Sequence, residues 1–98
     1  MTGKKESLRG FDREYLVRQE ARIRRRLEHC RDVLVHDSTT EEARLKAQYV
    51  IPASLLALQQ IEAGRYGICV ECEEDISVQR LEIMPAAIRC LDCQKKVE

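Results

Sequence analysis

A chain of 98 residues with 35% charged side chains, 4% aromatic ones and no Trp cannot enclose a large core. Its 17 basic and 17 acidic groups cancel. That balance argues against a protein that coats nucleic acid, which gains affinity by displacing counterions with excess Lys and Arg. Nowhere does the sequence approach the roughly 20 apolar residues that a membrane span needs.

In chain order, residues 1–6 are polar and read as a disordered tail. No apolar stretch comes after them, so no signal peptide is expected. A cytoplasmic protein with reduced thiols is the consequence. Residues 1–35 carry 10 basic and 6 acidic groups, whereas residues 36–98 carry 7 and 11. From about Ser7 to Val35 the pattern is helical. Ile23, Leu27, Cys30 and Leu34 step by 4, 3 and 4, the spacing of a coiled-coil seam. Arg18, Arg22, Arg25 and Arg26 fall off that seam and are expected to stay in water. Cys30, on the seam and far from the other cysteines, reads as a small buried hydrophobe.

His36-Asp37-Ser38-Thr39-Thr40 interrupts the pattern. Ser38 with Glu41, or Thr39 with Glu42, reads as a capping box opening a second helix over about Thr40 to Ala63, closed by Gly64. The short connection makes residues 7–63 an antiparallel helical hairpin, a coiled-coil arm. Leu45, Tyr49, Pro52 and Leu56 again step by 4, 3 and 4 and are expected to face the first helix. Pro52 should kink or break the second helix, at a cost of roughly 3 kcal/mol. The wider apolar stripe beyond Pro52 should pack on the C-terminal cysteine-bearing module as well as on the first helix.

That module, residues 64–98, holds Cys69, Cys72, Cys90 and Cys93 in a Cys-x2-Cys-x17-Cys-x2-Cys spacing. Two residues between cysteines let both sulfurs of a pair reach one metal, and two pairs complete a tetrahedron around zinc. Redox pairs, disulfides, plain core cysteines and an iron–sulfur cluster are the competing readings, the last usually met at other spacings. A four-Cys shell is closed, so one structural Zn2+ and no enzyme activity is the expectation. A nucleobase deaminase would need a His-x-Glu motif and a vacant coordination position. The fold class is therefore mainly α: a helical hairpin with its second helix kinked near Pro52, then a small four-Cys zinc finger with a short C-terminal helix.

Tyr66-Gly67-Ile68-Cys69-Val70-Glu71-Cys72, Arg80-Leu81-Glu82, Pro85, Ala87 and Cys90-Leu91-Asp92-Cys93 stand in register with a known pattern. They resemble the DksA/TraR family of bacterial C4-type zinc finger proteins, with the same 17-residue gap. Glu73 takes a place where that family often has Gly in a left-handed backbone, a departure worth about 1 kcal/mol. The resemblance implies a transcription regulator that binds bacterial RNA polymerase directly, its helical arm entering the secondary channel with acids at the tip. The family's tip motif is Asp-x-x-Asp-x-Ala. With Ala43 placed on its Ala, Glu41 falls on the second Asp and Ser38 on the first, so Ser38, Glu41, Glu42 and Ala43 are the candidate partner-binding residues. From Ala43 to Cys69 is 26 residues, a short arm of roughly 39 Å if helical. Gln94 comes after the last cysteine where the family's alarmone site has Lys, which argues against ppGpp binding. A monomer without sequence-specific DNA binding is expected. The alternatives are a protein-interaction adaptor without polymerase activity, or a nucleic-acid-binding finger. The latter would use Arg80, Arg89, Lys95 and Lys96 against the opposing charges of Glu71, Glu73, Glu74 and Asp75.

Overall fold

The computed structural model describes residues 11–36 and 40–97. Both the expected tail, residues 1–6, and Ser38 lie outside them. The elements are α1 (Arg13–Val35), α2 (Glu41–Glu62), α3 (Val78–Ile83) and α4 (Leu91–Val97). Helices α1 and α2 form the arm, and the molecule measures 50 × 28 × 19 Å.

Helix α1 starts at Arg13 because the Asp12 carboxylate accepts a hydrogen bond from the Tyr15 N–H at 2.8 Å. Phe11 and Asp12 therefore precede the helix, which begins later than the Ser7 expected from periodicity. Ile23, Leu27 and Cys30 are buried as their spacing requires, and Leu34 is half-buried. Burial of a side chain such as Ile23 stabilises the hairpin by roughly 2 kcal/mol.

Helix α2 departs from the expectation in three ways. Its N-cap is Thr40, whose hydroxyl accepts from the Ala43 N–H at 3.1 Å. The residue three beyond the cap is thus Ala43; the two expected capping boxes rest on Ser38 and Thr39, which lie outside the described residues. Second, of the kink or break expected at Pro52 the break does not occur: α2 continues through it as one element, although Pro52 has no N–H for the Gln48 carbonyl. Third, the stripe of Leu45, Tyr49, Pro52 and Leu56 does not face α1. The buried residues are Ala47, Val50, Ala53, Ser54 and Ala57. Small side chains let the two helix backbones come close, and an α1 already carrying Ile and Leu leaves little room for a second row of large ones. The 4-3-4 spacing is real but belongs to the opposite face.

The C-terminus of α2 closes as a Schellman motif. Arg65 N–H donates to the Gln60 carbonyl at 2.8 Å and Gly64 N–H to that of Ile61 at 3.1 Å. Gly64 has φ 75°, a left-handed value free of penalty only without a Cβ. Beyond it, residues of the arm's base and of the finger share one core. Ile23 and Ala57 pack with Tyr66, Cys69, Ile76, Leu81, Ala86, Ala87 and Ile88, flanked by Leu58 and Ile61 of α2. Of the apolar residues after Pro52, Ala57, Leu58 and Ile61 thus pack in the core shared with the finger as expected, whereas Leu55 and Leu56 stay exposed. A second, smaller cluster of Cys30, Ala47 and Val50 holds the outer arm.

Helix α3 has no counterpart among the expected elements. Its signal is present in the sequence: Ser77 caps it by accepting from the Arg80 N–H at 3.1 Å, with Ile76 and Leu81 as its buried anchors. At six residues it is too short for periodicity to register.

Candidate metal centre and arm tip

The first cysteine pair sits on a tight knuckle. Ile68 and Asp75 form an antiparallel bridge. Cys69 N–H donates to the Glu74 carbonyl at 2.8 Å, and Glu73 N–H to that of Cys69 at 2.9 Å. Closing this turn puts Glu73 at φ 65°, so the left-handed backbone that the family's glycine would occupy is retained with a Cβ present. Gly67, at φ 85°, turns the chain into the knuckle. The second pair is split between the residue before α4 and its first turn: Cys90 precedes the helix and Cys93 lies within it. Val70 N–H donates to the Ile88 carbonyl at 2.9 Å, which joins the two halves of the finger. Arg89 Nε reaches Glu71 Oε2 at 3.3 Å across the same junction.

All four Sγ atoms lie within 4.8 Å of one another. Zinc–thiolate bonds of about 2.3 Å in a tetrahedron require sulfurs about 3.8 Å apart. Cys72 Sγ and Cys90 Sγ stand at 3.8 Å. The donor set and its spacing therefore fit one Zn2+, and soft thiolates favour that ion over harder cations. Backbone amides point at the sulfurs, Glu71 N–H to Cys69 Sγ at 3.4 Å and Cys93 N–H to Cys90 Sγ at 3.5 Å. Burial opposes ionisation of Cys69, yet the amides of Cys72, Cys90 and Glu71 outweigh it and hold the thiol at about 6. Cys93 moves the other way, to about 12, through desolvation and the neighbouring thiols. Four thiols in one place cannot all ionise without a cation among them.

A polar network that the sequence reading missed joins arm to finger. Gln19, a buried residue of α1, donates from Nε2 to Tyr66 Oη at 3.0 Å and to the Leu81 carbonyl at 3.2 Å. Tyr66 donates in turn to the Pro85 carbonyl at 2.7 Å. Arg22, expected in water and half-buried, joins the network as well: it donates to Gln19 Oε1 at 3.0 Å and to the Glu82 carbonyl at 2.6 Å. Burial raises the Tyr66 hydroxyl well above the ordinary tyrosine range, so it stays a donor. Gln19 is legible in the sequence only as a polar residue adjoining the Ile23 seam one turn earlier.

At the other end of α2, Glu41 and Glu42 are exposed in its first turn and Ala43 is half-buried. A 22-residue helix separates them from the finger, roughly 33 Å. The finger's expected cations divide between free and engaged. Lys95 and Lys96 are exposed on α4, but Gln94 is buried, and Arg80 Nε is bound to the Arg89 carbonyl at 3.1 Å.

Among the described residues, no helix is long and apolar enough to cross a membrane. In comparison with known proteins, residues 64–98 match the prokaryotic dksA/traR C4-type zinc finger. An uncharacterized protein of Aquifex aeolicus (strain VF5) is 45% identical over 42 residues, which are 43% of this chain and 29% of that protein's length. By fold, the chain is similar to the RNA polymerase binding protein and transcriptional regulator Dks from Chlamydia trachomatis L2 (LGV434). The TM-score is 0.75 at 24% identity, over 90% of this chain and 92% of that one. Transcription factor DksA2 from Pseudomonas aeruginosa is a looser likeness, with TM-score 0.47 and 21% identity over 97% of this chain and 84% of that one. Residues 64–98 thus match the prokaryotic dksA/traR C4-type zinc finger both in sequence and in the placement of their four cysteines.

Proposed function

We propose that this chain is a bacterial transcription regulator that binds RNA polymerase directly, presenting the tip of the α1–α2 arm in the enzyme's secondary channel while the finger braces the arm's base. The observation that carries this reading is that arm and finger together share the fold of a protein described as RNA polymerase binding. Cys69, Cys72, Cys90 and Cys93 hold one Zn2+, whose role is structural because four thiolates leave no coordination position for water or substrate. Ser38, Glu41, Glu42 and Ala43 form the partner-binding tip. The protein acts in the cytoplasm, is not an enzyme and takes no ppGpp, since Gln94 is neutral and buried. It does not read DNA sequence: Arg80 and Arg89, the finger cations nearest the knuckles, are engaged by the Arg89 carbonyl and Glu71.

An adaptor for another protein is the second reading. It is favoured by the Thr40 cap, because Glu41 and Glu42 behind it already complement the positive end of α2 and need no partner to explain them. Capture of purified bacterial RNA polymerase by the zinc-loaded chain, undiminished by DNA of random sequence, is the expected result. Failure to retain polymerase overturns the proposal. Glu41→Ala with Glu42→Ala should leave the circular dichroism spectrum unchanged and abolish effects on transcription by the purified enzyme. An unaltered transcription profile leaves polymerase binding to other residues and removes the tip from the mechanism.

A further inference from the structure

In the outer arm, α1 and α2 leave a hollow of about 280 Å³ between them. Its apolar lining is Ala43 and Ala47, one turn apart on α2, with Cys30 and Val33 of α1. The two alanines are too short to fill the space, so the hollow follows from the same small residues that let the helices come close. Its polar lining is Arg26 and His29 of α1 and Lys46 of α2, all three exposed. No acid lines it, and among the described residues no carboxylate pairs with any of the three. Arg44, a nearby cation of α2, is by contrast engaged by the Leu34 carbonyl at 3.2 Å.

We propose that this hollow receives an acidic side chain, Asp or Glu, of the RNA polymerase, an inference that rests on the polymerase reading above and names the chemistry of one contact. Size, lining and charge select that occupant. The volume falls below the roughly 300–1,000 Å³ of pockets that enclose drug-sized ligands, and it suits a single inserted side chain. Apolar walls accept the methylene stem of such a residue, and the cations at the rim meet its carboxylate. The Arg26 guanidinium offers two parallel N–H groups to both carboxylate oxygens, and Lys46 adds a compact charge. His29 supplies an N–H in either protonation state. A polyphosphate suits the place less well, because Glu41 and Glu42 stand in the adjoining first turn of α2 and repel multiple negative charges. The tip thus carries both signs: two acids in the first turn and, one turn on, a cationic hollow without an acid. Such a pattern rejects a partner surface of uniform sign and fixes the register of the arm against a mixed one.

The test uses the full zinc-loaded chain and purified bacterial RNA polymerase. A water-soluble carbodiimide, which condenses an amine with a carboxylate in contact with it, should join Lys46 Nζ to an Asp or Glu of the polymerase, identified by mass spectrometry of the digested product. Lys46→Glu should weaken capture of the polymerase about tenfold or more. Lys46→Arg should keep capture and lose the cross-link. Arg31→Glu makes the same change of charge at an exposed position of α1 outside the hollow and should capture as wild type does. Circular dichroism checks that every variant folds. A wild type that captures no polymerase overturns the polymerase reading and this inference together. With wild-type capture intact, Lys46 joined only to acids of its own chain overturns this inference alone, as does a Lys46→Glu variant that captures as well as wild type. An equal loss in Arg31→Glu also overturns it, because the effect then belongs to the net charge of the arm and not to the hollow.

Discussion

The outer arm and its base are held by different means. Towards the tip, α1 and α2 meet over Cys30, Ala47 and Val50, with Val33, Leu34 and Ile51 alongside. At the base the same two helices join a nine-residue core shared with the finger, the Gln19–Tyr66 network and a metal centre. The outer arm is thus a two-helix contact over three buried side chains, marginal by itself, whereas the base is a domain core in miniature. Order at the tip is borrowed from the base through helical continuity. A projecting arm therefore needs no large core at its far end, provided its root is fixed.

Breaking the base should do the most damage. Cys72→Ser removes one of four ligands from a site whose metal contributes on the order of 10 kcal/mol of folding free energy in modules of this kind. It should release zinc and collapse the finger's amide dispersion in NMR spectra, and retention of both would refute the structural role of the ion. Acid should act in the same direction. Cys69 sits near 6, below its unfolded value of 9.0, so the stabilisation it gives is complete above 9.0 and is lost as pH falls through about 6. Because Cys72 and Cys93 are held high in the metal-free site, zinc binding should release protons, which unbuffered titration with the metal measures directly.

Next in size is the joint between arm and finger. Gln19→Leu leaves the Leu81 carbonyl without its amide donor and frees Arg22 from Gln19 Oε1, which should cost about 2–3 kcal/mol in urea denaturation of the zinc-loaded chain. A cost below about 0.5 kcal/mol would show that the shared apolar core alone sets the joint.

The smallest effects should be gains. Ser54 of α2 is fully buried, and among the described residues its hydroxyl has no hydrogen-bond partner. Ser54→Ala should therefore stabilise the chain by about 1 kcal/mol. Glu73→Gly should relieve the left-handed backbone of the first knuckle by a similar amount, about 1 kcal/mol, with zinc affinity rising in step. If the arm is the weak region and the base the strong one, Ser54→Ala should slow amide exchange in the arm, while Glu73→Gly should leave exchange there as it was.

How much of the fold is legible in the sequence depends on the range of the interactions. The cysteine spacing, the seam of α1, Gly64 as the end of α2 and the left-handed site at Glu73 are local patterns, and each appears where it is expected. The face of α2 misleads because its large apolar residues are the natural candidates for burial. Ala47, Ala53, Ser54 and Ala57 carry the contact instead, and small residues leave almost no periodic signal. Helix α3 and the Gln19–Tyr66 bond, 47 residues apart in sequence, depend on a neighbour that only the folded chain supplies. The four-cysteine cluster is the most legible feature because coordination chemistry restricts both residue type and spacing. The tip is the least, since acids behind a cap suit a helix with or without a partner.

Pro52 lies between the two cores, just beyond Val50 of the outer cluster and short of Ala57 of the inner one. With no amide hydrogen of its own, it leaves the hydrogen-bonded ladder of α2 one rung short at this boundary. Thermal opening that starts at the free end therefore has a natural stopping point, and the outer part can unzip and reclose without loosening the root. The arm combines a compliant end with a stiff mounting.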